Sequence, residues 1–177
     1  MKEEDGMRHT LLVLVENRFG ELDRVAGHFA ARGVNIDSLA AAETLDRSVT
    51  WITITFTSDD ETAVDLARML EREVLVLKAP GFTNEMFVQR EVALIRVKVP
   101  HLGAVKRLHH LLREFQGKIV ADLDSEMIVE FTESTPILDQ ILESLAPLEI
   151  IELARGGAVT LPRGGVGTML GAKSASA

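Results

Sequence analysis

Hydrophobic positions change their spacing sharply within the first forty residues. A continuous apolar run, Leu11–Val15, stops at Glu16-Asn17-Arg18-Phe19-Gly20. Leu22, Val25, Ala26, Phe29 and Ala30 then recur at helical spacing until Gly33, and Val34-Asn35-Ile36-Asp37-Ser38 opens a new segment. This predicts a strand over His9–Val15, a helix over Gly20–Arg32 and a second strand over Ile36–Glu43. A strand that feeds a tight polar loop and then a helix start presents free backbone N–H groups, which favour a bound anion such as a carboxylate. The pattern points to a sensor of small acids more than to a catalyst.

The next segment alternates. In Thr50–Thr57, Ile52, Ile54 and Phe56 share one face and Thr53 and Thr55 the other, as in a half-buried antiparallel strand. Asp46-Arg47-Ser48 before it is a turn. Ser58-Asp59-Asp60-Glu61 offers a cap and an acidic first turn to a helix over Glu61–Arg72, striped by Ala63, Leu66, Ala67 and Leu70. Val74–Lys78 is a short strand, and Ala79–Asn84 reads as a linker.

The same order then returns. Strands are expected over Glu91–Val99, Lys118–Asp122, Met127–Phe131 and Leu148–Ala154. Helices are expected from Gly103 to Phe115, ended by Gly117, and from Ser134-Thr135-Pro136, with Pro136 at the first helical position, to the stop at Pro147. Ile137, Leu138, Ile141, Leu142 and Leu145 line the last helix. Two β-α-β-β-α-β units in an α+β chain predict two tandem ferredoxin-like domains, each a four-stranded antiparallel sheet with both helices on one face. The other face is left uncovered and would meet another copy or another domain. The expected domains are 7–79 and 88–163, with a linker over 80–87 and a disordered, Gly-, Ala- and Ser-rich tail over 164–177.

Composition narrows the function classes. The 177-residue chain suffices for one or two small cores, and its net charge of −8 argues against nucleic-acid binding. With no Cys, disulfides, thiol nucleophiles and thiolate metal sites are excluded. No apolar run reaches a membrane span, and the acidic start Met1–Gly6 lacks the features of a signal peptide, so a cytoplasmic protein is expected.

Chemistry-bearing residues are sparse. His109 and His110 are adjacent on a helix, diverge by roughly 100° and do not share an ion easily. His9, His28 and His101 are isolated, and Ser48, Ser58 and Ser125 sit in turns with no nearby His. Arg155-Gly156-Gly157 and Arg163-Gly164-Gly165 lack the Lys-Ser/Thr of a phosphate loop and read as turns after the last strand. Arg90-Glu91 reads as a surface ion pair. No metal, cofactor or catalytic group is expected in this chain. Asn17 and Gly20 have two even readings: a ligand loop, or an ordinary strand-to-helix turn capped by Asn17. Asn35 is equally either a strand-start residue that tolerates an unusual backbone or a pocket residue that needs a partner.

The stretch HTLLVLVENRFGELDRVAGHFAARGVNIDSLAAAET closely resembles the start of acetolactate synthase (acetohydroxyacid synthase) regulatory small subunits, which begin with an ACT domain. Arg90–Val97, Gly117–Asp122, Glu152–Gly157 and Leu161–Gly164 extend the likeness over about residues 7 to 165. The resemblance implies an N-terminal ACT domain and a regulatory, non-catalytic role in branched-chain amino acid biosynthesis. It implies a homodimer through ACT domains and a separate catalytic large subunit carrying thiamine diphosphate, Mg²⁺ and FAD. The small subunit would raise that subunit's activity and confer feedback inhibition by valine. By matching position, Asn17 and Gly20 would belong to one protomer's side of a valine pocket, and Asn35 and Ile36 to the other's. Valine's isopropyl group would suit a small apolar wall from residues such as Leu14 or Ile36. The chain departs from the family pattern at Glu133-Ser134-Thr135-Pro136 and at Arg155-Gly156-Gly157. A free-standing amino-acid sensor acting on another enzyme or regulator is the alternative.

Overall fold

The computed structural model describes residues 6–72, 75–76 and 87–163. In chain order these form β1 (Met7–Glu16), α1 (Glu21–Ala31), β2 (Ile36–Glu43), β3 (Val49–Ser58), α2 (Asp60–Leu70) and β4 (Leu75–Val76). There follow β5 (Phe87–Lys98), α3 (Leu102–Glu114), β6 (Lys118–Leu123), β7 (Glu126–Glu133), α4 (Thr135–Leu145), β8 (Ile150–Arg155) and β9 (Val159–Pro162). Described residues up to Val88, joined by those from Gly157 onward, form one compact unit, and Gln89–Gly156 form a second. The expected linker over 80–86, the tail and most of the expected Val74–Lys78 strand lie outside the described residues, while Phe87, expected as the last linker residue, is buried and opens β5.

The first sheet has strand order β2-β3-β1-β4, with every pairing antiparallel. The second runs β6-β7-β5-β8, with β9 pairing β5 off that path. The fold is therefore α+β with ferredoxin-like sheet topology. Period-two alternation did the sorting in the first unit. Leu11, Val13 and Val15 from β1 and Ile52, Ile54 and Phe56 from β3 meet Val25 and Phe29 of α1 and Ala63, Leu66, Ala67 and Leu70 of α2. Phe29 and Phe56 meet edge-on with ring centroids 5.1 Å apart, the orientation that aligns a ring's positive edge with its neighbour's negative face. The stripe expected on α1 is narrower than its sequence: Leu22, in the first turn, is largely exposed.

The opposite face of the first sheet is not open at its centre. Leu12, Thr53 and Thr55 are all buried, and the Thr53 and Thr55 hydroxyls have no hydrogen-bond partner among the described residues. Within the same unit, Gly157 lies so close to the Leu39–Ala40 backbone that an added Cβ would sit 2.6 Å from the Leu39 carbonyl.

In the second unit Ala93, Ile95 and Val97 of β5 and Met127, Val129 and Phe131 of β7 pack on Leu108, Leu111 and Leu112 of α3 and Leu138, Ile141 and Leu145 of α4. The helix stop expected at Gly117 differs in detail. Gln116 takes the left-handed conformation, at φ 54°, and the Gly117 N–H donates to the Leu112 carbonyl at 2.8 Å. Gly117 is needed for space instead: a Cβ there would collide with the Phe131 ring and with Leu112.

The cap expected before α2 forms. Asp59 Oδ1 accepts from the Thr62 N–H at 2.8 Å and Oδ2 from the Thr62 hydroxyl at 2.9 Å. The backbone bond first, and the hydroxyl second, hold the Asp59 carboxyl below its usual range. A depressed carboxylate stabilises the fold fully above its unfolded pKa, and that contribution is lost as pH falls through the depressed value. Protection of the Thr62 amide against hydrogen exchange should therefore drop on acidification below about pH 4. Asp59→Asn, which caps without titrating, should remove that drop while leaving neutral-pH protection in place.

Candidate functional site

β1 ends at Glu16 because the chain turns polar there, and the loop 17–20 delivers it to α1. Gly20 is the residue before the first helical turn, with φ 88° and ψ −7°, a left-handed conformation that costs glycine little. No side chain caps this helix. The Glu21 N–H donates weakly to the Arg18 carbonyl at 3.4 Å, which leaves the Leu22 and Asp23 amides without a capping side chain, and nothing lies within 4 Å of where a Gly20 Cβ would be. Glu21 and Asp23 complement the helix dipole from within this turn, and Glu21 is itself neutralised by Arg24 at 2.6 Å.

Asn17 does not cap α1. Its Nδ2 donates to the Arg47 carbonyl at 3.0 Å and to Glu43 Oε1 at 3.2 Å, and its backbone N–H donates to the Ser48 carbonyl at 2.7 Å. The loop before α1 is thereby tied to the turn between β2 and β3. That turn is braced from within by Asp46 Oδ1, which accepts from the Ser48 hydroxyl at 2.6 Å and the Ser48 N–H at 2.9 Å. Both bonds, the hydroxyl first, lower the Asp46 pKa. With both Nδ2 acceptors being carbonyl or carboxylate oxygens, Oδ1 of Asn17 is the atom left to accept from a ligand.

Asn35 is exposed, just past the end of α1. The unusual backbone belongs to Gly33, at φ 67°; its N–H donates to the Ala30 carbonyl and the Val34 N–H to the Phe29 carbonyl, both at 3.1 Å. These two bonds form a Schellman stop. Ile36 is half-buried against the first core, and Leu14 is half-buried opposite Trp51.

Register decides which of these residues can meet. Glu16 pairs Val49 at one end of β3, and Ile36 pairs Phe56 near the other. The seven intervening steps correspond to about 23 Å of strand. Asn17 and Gly20 therefore lie at one end of the sheet, and Asn35 and Ile36 at the opposite end. Within a single chain they do not form one pocket.

A second polar constellation, in the C-terminal unit, was missed by the expectation of a surface ion pair at Arg90-Glu91. Arg90 bonds the Gln89 carbonyl. Glu91 is buried and pairs with Arg155, its Oε1 accepting from Nε at 2.7 Å and its Oε2 from Nη2 at 3.0 Å. Thr135 Oγ1 donates to Glu91 Oε2 at 2.8 Å, and Arg155 Nη1 donates to Asp139 Oδ1 at 2.7 Å. Glu91 first and Asp139 after it raise the Arg155 pKa against the opposing effect of burial. β5, β8 and the first turns of α4 are joined here. The one local signal was the inward phase of Glu91, which shares its face of β5 with Ala93, Ile95 and Val97.

Among the described residues no group of three or more His, Asp or Glu could hold a metal ion, and no helix is long and apolar enough to cross a membrane. The first unit is a βαββαβ fold with an uncapped helix start next to its strand-end loop, an arrangement that ACT domains share. Residues 11–78 match the family described as an AHAS small subunit-like ACT domain, and residues 90–164 match the small subunit of acetolactate synthase. The Mycobacterium bovis acetolactate synthase small subunit is 34% identical over 90% of this chain and 96% of its own length. The Escherichia coli isozyme 3 small subunit is 34% identical over 89% of this chain and 97% of its own. The crystal structure of the Thermotoga maritima acetolactate synthase small subunit superposes with a TM-score of 0.74 at 28% identity, covering 89% of this chain and 98% of that one. The chain belongs to the acetolactate synthase small-subunit family.

Proposed function

We propose that this chain is the non-catalytic regulatory subunit of an acetolactate synthase, an ACT domain followed by a ferredoxin-like domain. It pairs with a second copy and binds a branched-chain amino acid, valine foremost, between the two ACT domains. The observation that carries this reading is the placement of the candidate residues at opposite ends of one sheet whose edge strand is β2. An antiparallel β2–β2 contact between two copies would bring the Asn35–Ile36 end of one beside the Asn17–Gly20 end of the other. Each pocket would then take residues from both chains.

The chemistry of the groups suits an α-amino acid. The open amides after Gly20 favour its carboxylate. The Asn17 and Asn35 side-chain oxygens are acceptors for its ammonium group. Ile36, packed on the helix-side core, offers apolar surface to a branched side chain, whereas Leu14 alternates with Val13 and Val15 and faces the other side of the sheet. A ligand touching both copies stabilises one dimer arrangement over others, and its differential affinity supplies the coupling to the catalytic partner. The chain itself supplies no catalytic group to that reaction.

Adding the purified chain to its catalytic large subunit is expected to raise the rate of acetolactate formation, and valine is expected to reverse the gain. An unchanged rate, with the two proteins shown to be folded, would remove the regulatory-subunit reading and leave the free-standing sensor.

A further inference from the structure

The Asn17 amide is held in one orientation. Its Nδ2 donates to the Arg47 carbonyl at 3.0 Å and to Glu43 Oε1 at 3.2 Å, which uses both amide hydrogens. Both partners are oxygens that only accept, so a turned amide would set its own oxygen against two others. Asn17 therefore offers a ligand an acceptor, Oδ1, and no side-chain donor. The nearby carboxylates are spent differently. Glu16 is paired with Arg18 at 2.9 Å and Glu21 with Arg24 at 2.6 Å. Glu43, the last residue of β2, makes no ion pair among the described residues, and its bond is to the neutral Asn17 amide. A negative charge without a cation thus stands beside the open acceptor.

We propose that Glu43 is the residue that makes this site select an amino acid over the 2-oxo acid of the same carbon skeleton. The inference rests on the effector reading above and names the discrimination made within that site.

The two ligands share a carboxylate and a branched side chain, so the helix start and Ile36 treat them alike. They differ at the α-carbon. An ammonium group brings donors and a positive charge, and a 2-oxo group brings only acceptor lone pairs. Against Oδ1 with a carboxylate beside it, the ammonium group gains a charge-assisted hydrogen bond. The oxo oxygen meets an acceptor and negative charge, the kind of mismatch by which a site rejects a near-isostere. Asn35 does not supply this choice. It is exposed and its side chain makes no hydrogen bond among the described residues, so its amide turns either end to a ligand. Asn17 is fixed on its backbone side as well. Its N–H donates to the Ser48 carbonyl at 2.7 Å, and Asp46 Oδ1 braces Ser48. Of the two acceptors that orient Nδ2, the Arg47 carbonyl belongs to the backbone, which leaves Glu43 as the side chain that sets the preference.

The test is calorimetry of the full chain with valine and with 2-oxoisovalerate, its 2-oxo counterpart. It compares the unsubstituted chain with Glu43→Gln, Glu43→Ala and Gly20→Ala. The unsubstituted chain is expected to bind valine at least about thirtyfold more tightly than the oxo acid, within the range of one hydrogen bond to a charged group. Glu43→Gln keeps the size and an acceptor but removes the charge, and should narrow that ratio by about threefold, as suits a solvent-screened charge. Glu43→Ala also takes away one of the two acceptors that orient Asn17, and should narrow the ratio by about tenfold. Gly20→Ala acts on the shared carboxylate and should weaken both ligands alike, leaving the ratio in place. A general loosening of the loop would do the same, so the ratio separates a selective role from a structural one. Should Glu43→Ala fail to fold, the isosteric Glu43→Gln carries the measurement. Equal affinity of the unsubstituted chain for both ligands would overturn the proposal, as would a ratio unchanged in the Glu43 variants. Either result leaves the effector reading standing. Binding of neither ligand would instead sink the effector reading and this proposal with it.

Discussion

Glu91→Ala should lower the stability of the second unit by about 3 kcal/mol, toward the lower end of the cost of breaking a buried ion pair. Glu91 is buried, and its removal strips Arg155 of two of its three short bonds and leaves Thr135 Oγ1 without its acceptor. The lower end applies because Asp139 still holds Nη1 and Arg155 is partly open to solvent, so the guanidinium is not wholly uncompensated. Chemical denaturation of the full chain, followed by amide exchange on β5 and β8, would measure it. The double variant Glu91→Leu, Arg155→Met should recover part of the loss: it leaves no buried orphaned charge, since Asp139 is partly open to solvent, but the buried Thr135 hydroxyl still lacks its acceptor. A loss as large in the double variant as in the single one would show that shape, rather than charge compensation, holds this junction. The network joins β5, β8 and α4, so its stability effect should be confined to the C-terminal unit.

The second large effect is on binding. Gly20→Asp is expected to weaken valine by at least about tenfold, equivalent to roughly 1.4 kcal/mol. Two causes act together. A carboxylate at the helix start competes with the ligand's own carboxylate for the same amides, and a left-handed backbone at φ 88° strains any residue with a Cβ. The open space around Gly20 means that no steric collision accompanies them. Gly20→Ala separates the two causes, since it carries the strain without the charge, and should lose less affinity. Raising the salt concentration should recover part of the loss in the Asp variant and none in the Ala variant, because only the charge is screened. Calorimetry at two ionic strengths reads both. Equal affinity in all three proteins would remove Gly20 from the pocket.

Much of this was legible along the chain. The alternation of Ile52, Ile54 and Phe56 with Thr53 and Thr55 placed β3 and its core face correctly. The stripe Ala63, Leu66, Ala67 and Leu70 did the same for α2, and Asp59 announced its cap. Signals of this kind are local, because a side chain's direction repeats every two residues in a strand and every 3.6 in a helix. β9 went unread because four residues following two glycines give too short a run to show a period. Burial of Thr53 and Thr55 went unread for a different reason: alternation tells which face a residue takes but not what lies over that face.

The sequence by itself determined the order of the elements before β9, the two apolar cores and, through the Leu11–Gly20 and Gly33–Ile36 motifs, which residues are candidates for the site. Only the tertiary structure decided how those candidates are used. It placed Asn17 and Asn35 at opposite ends of a sheet, made Asn17 a tie to the β2–β3 turn rather than a helix cap, and drew Glu91 to Arg155 across 64 positions of chain. The physical reason is the same in each case: contacts between segments distant in sequence follow from strand register, and register is set by the packing of the whole sheet.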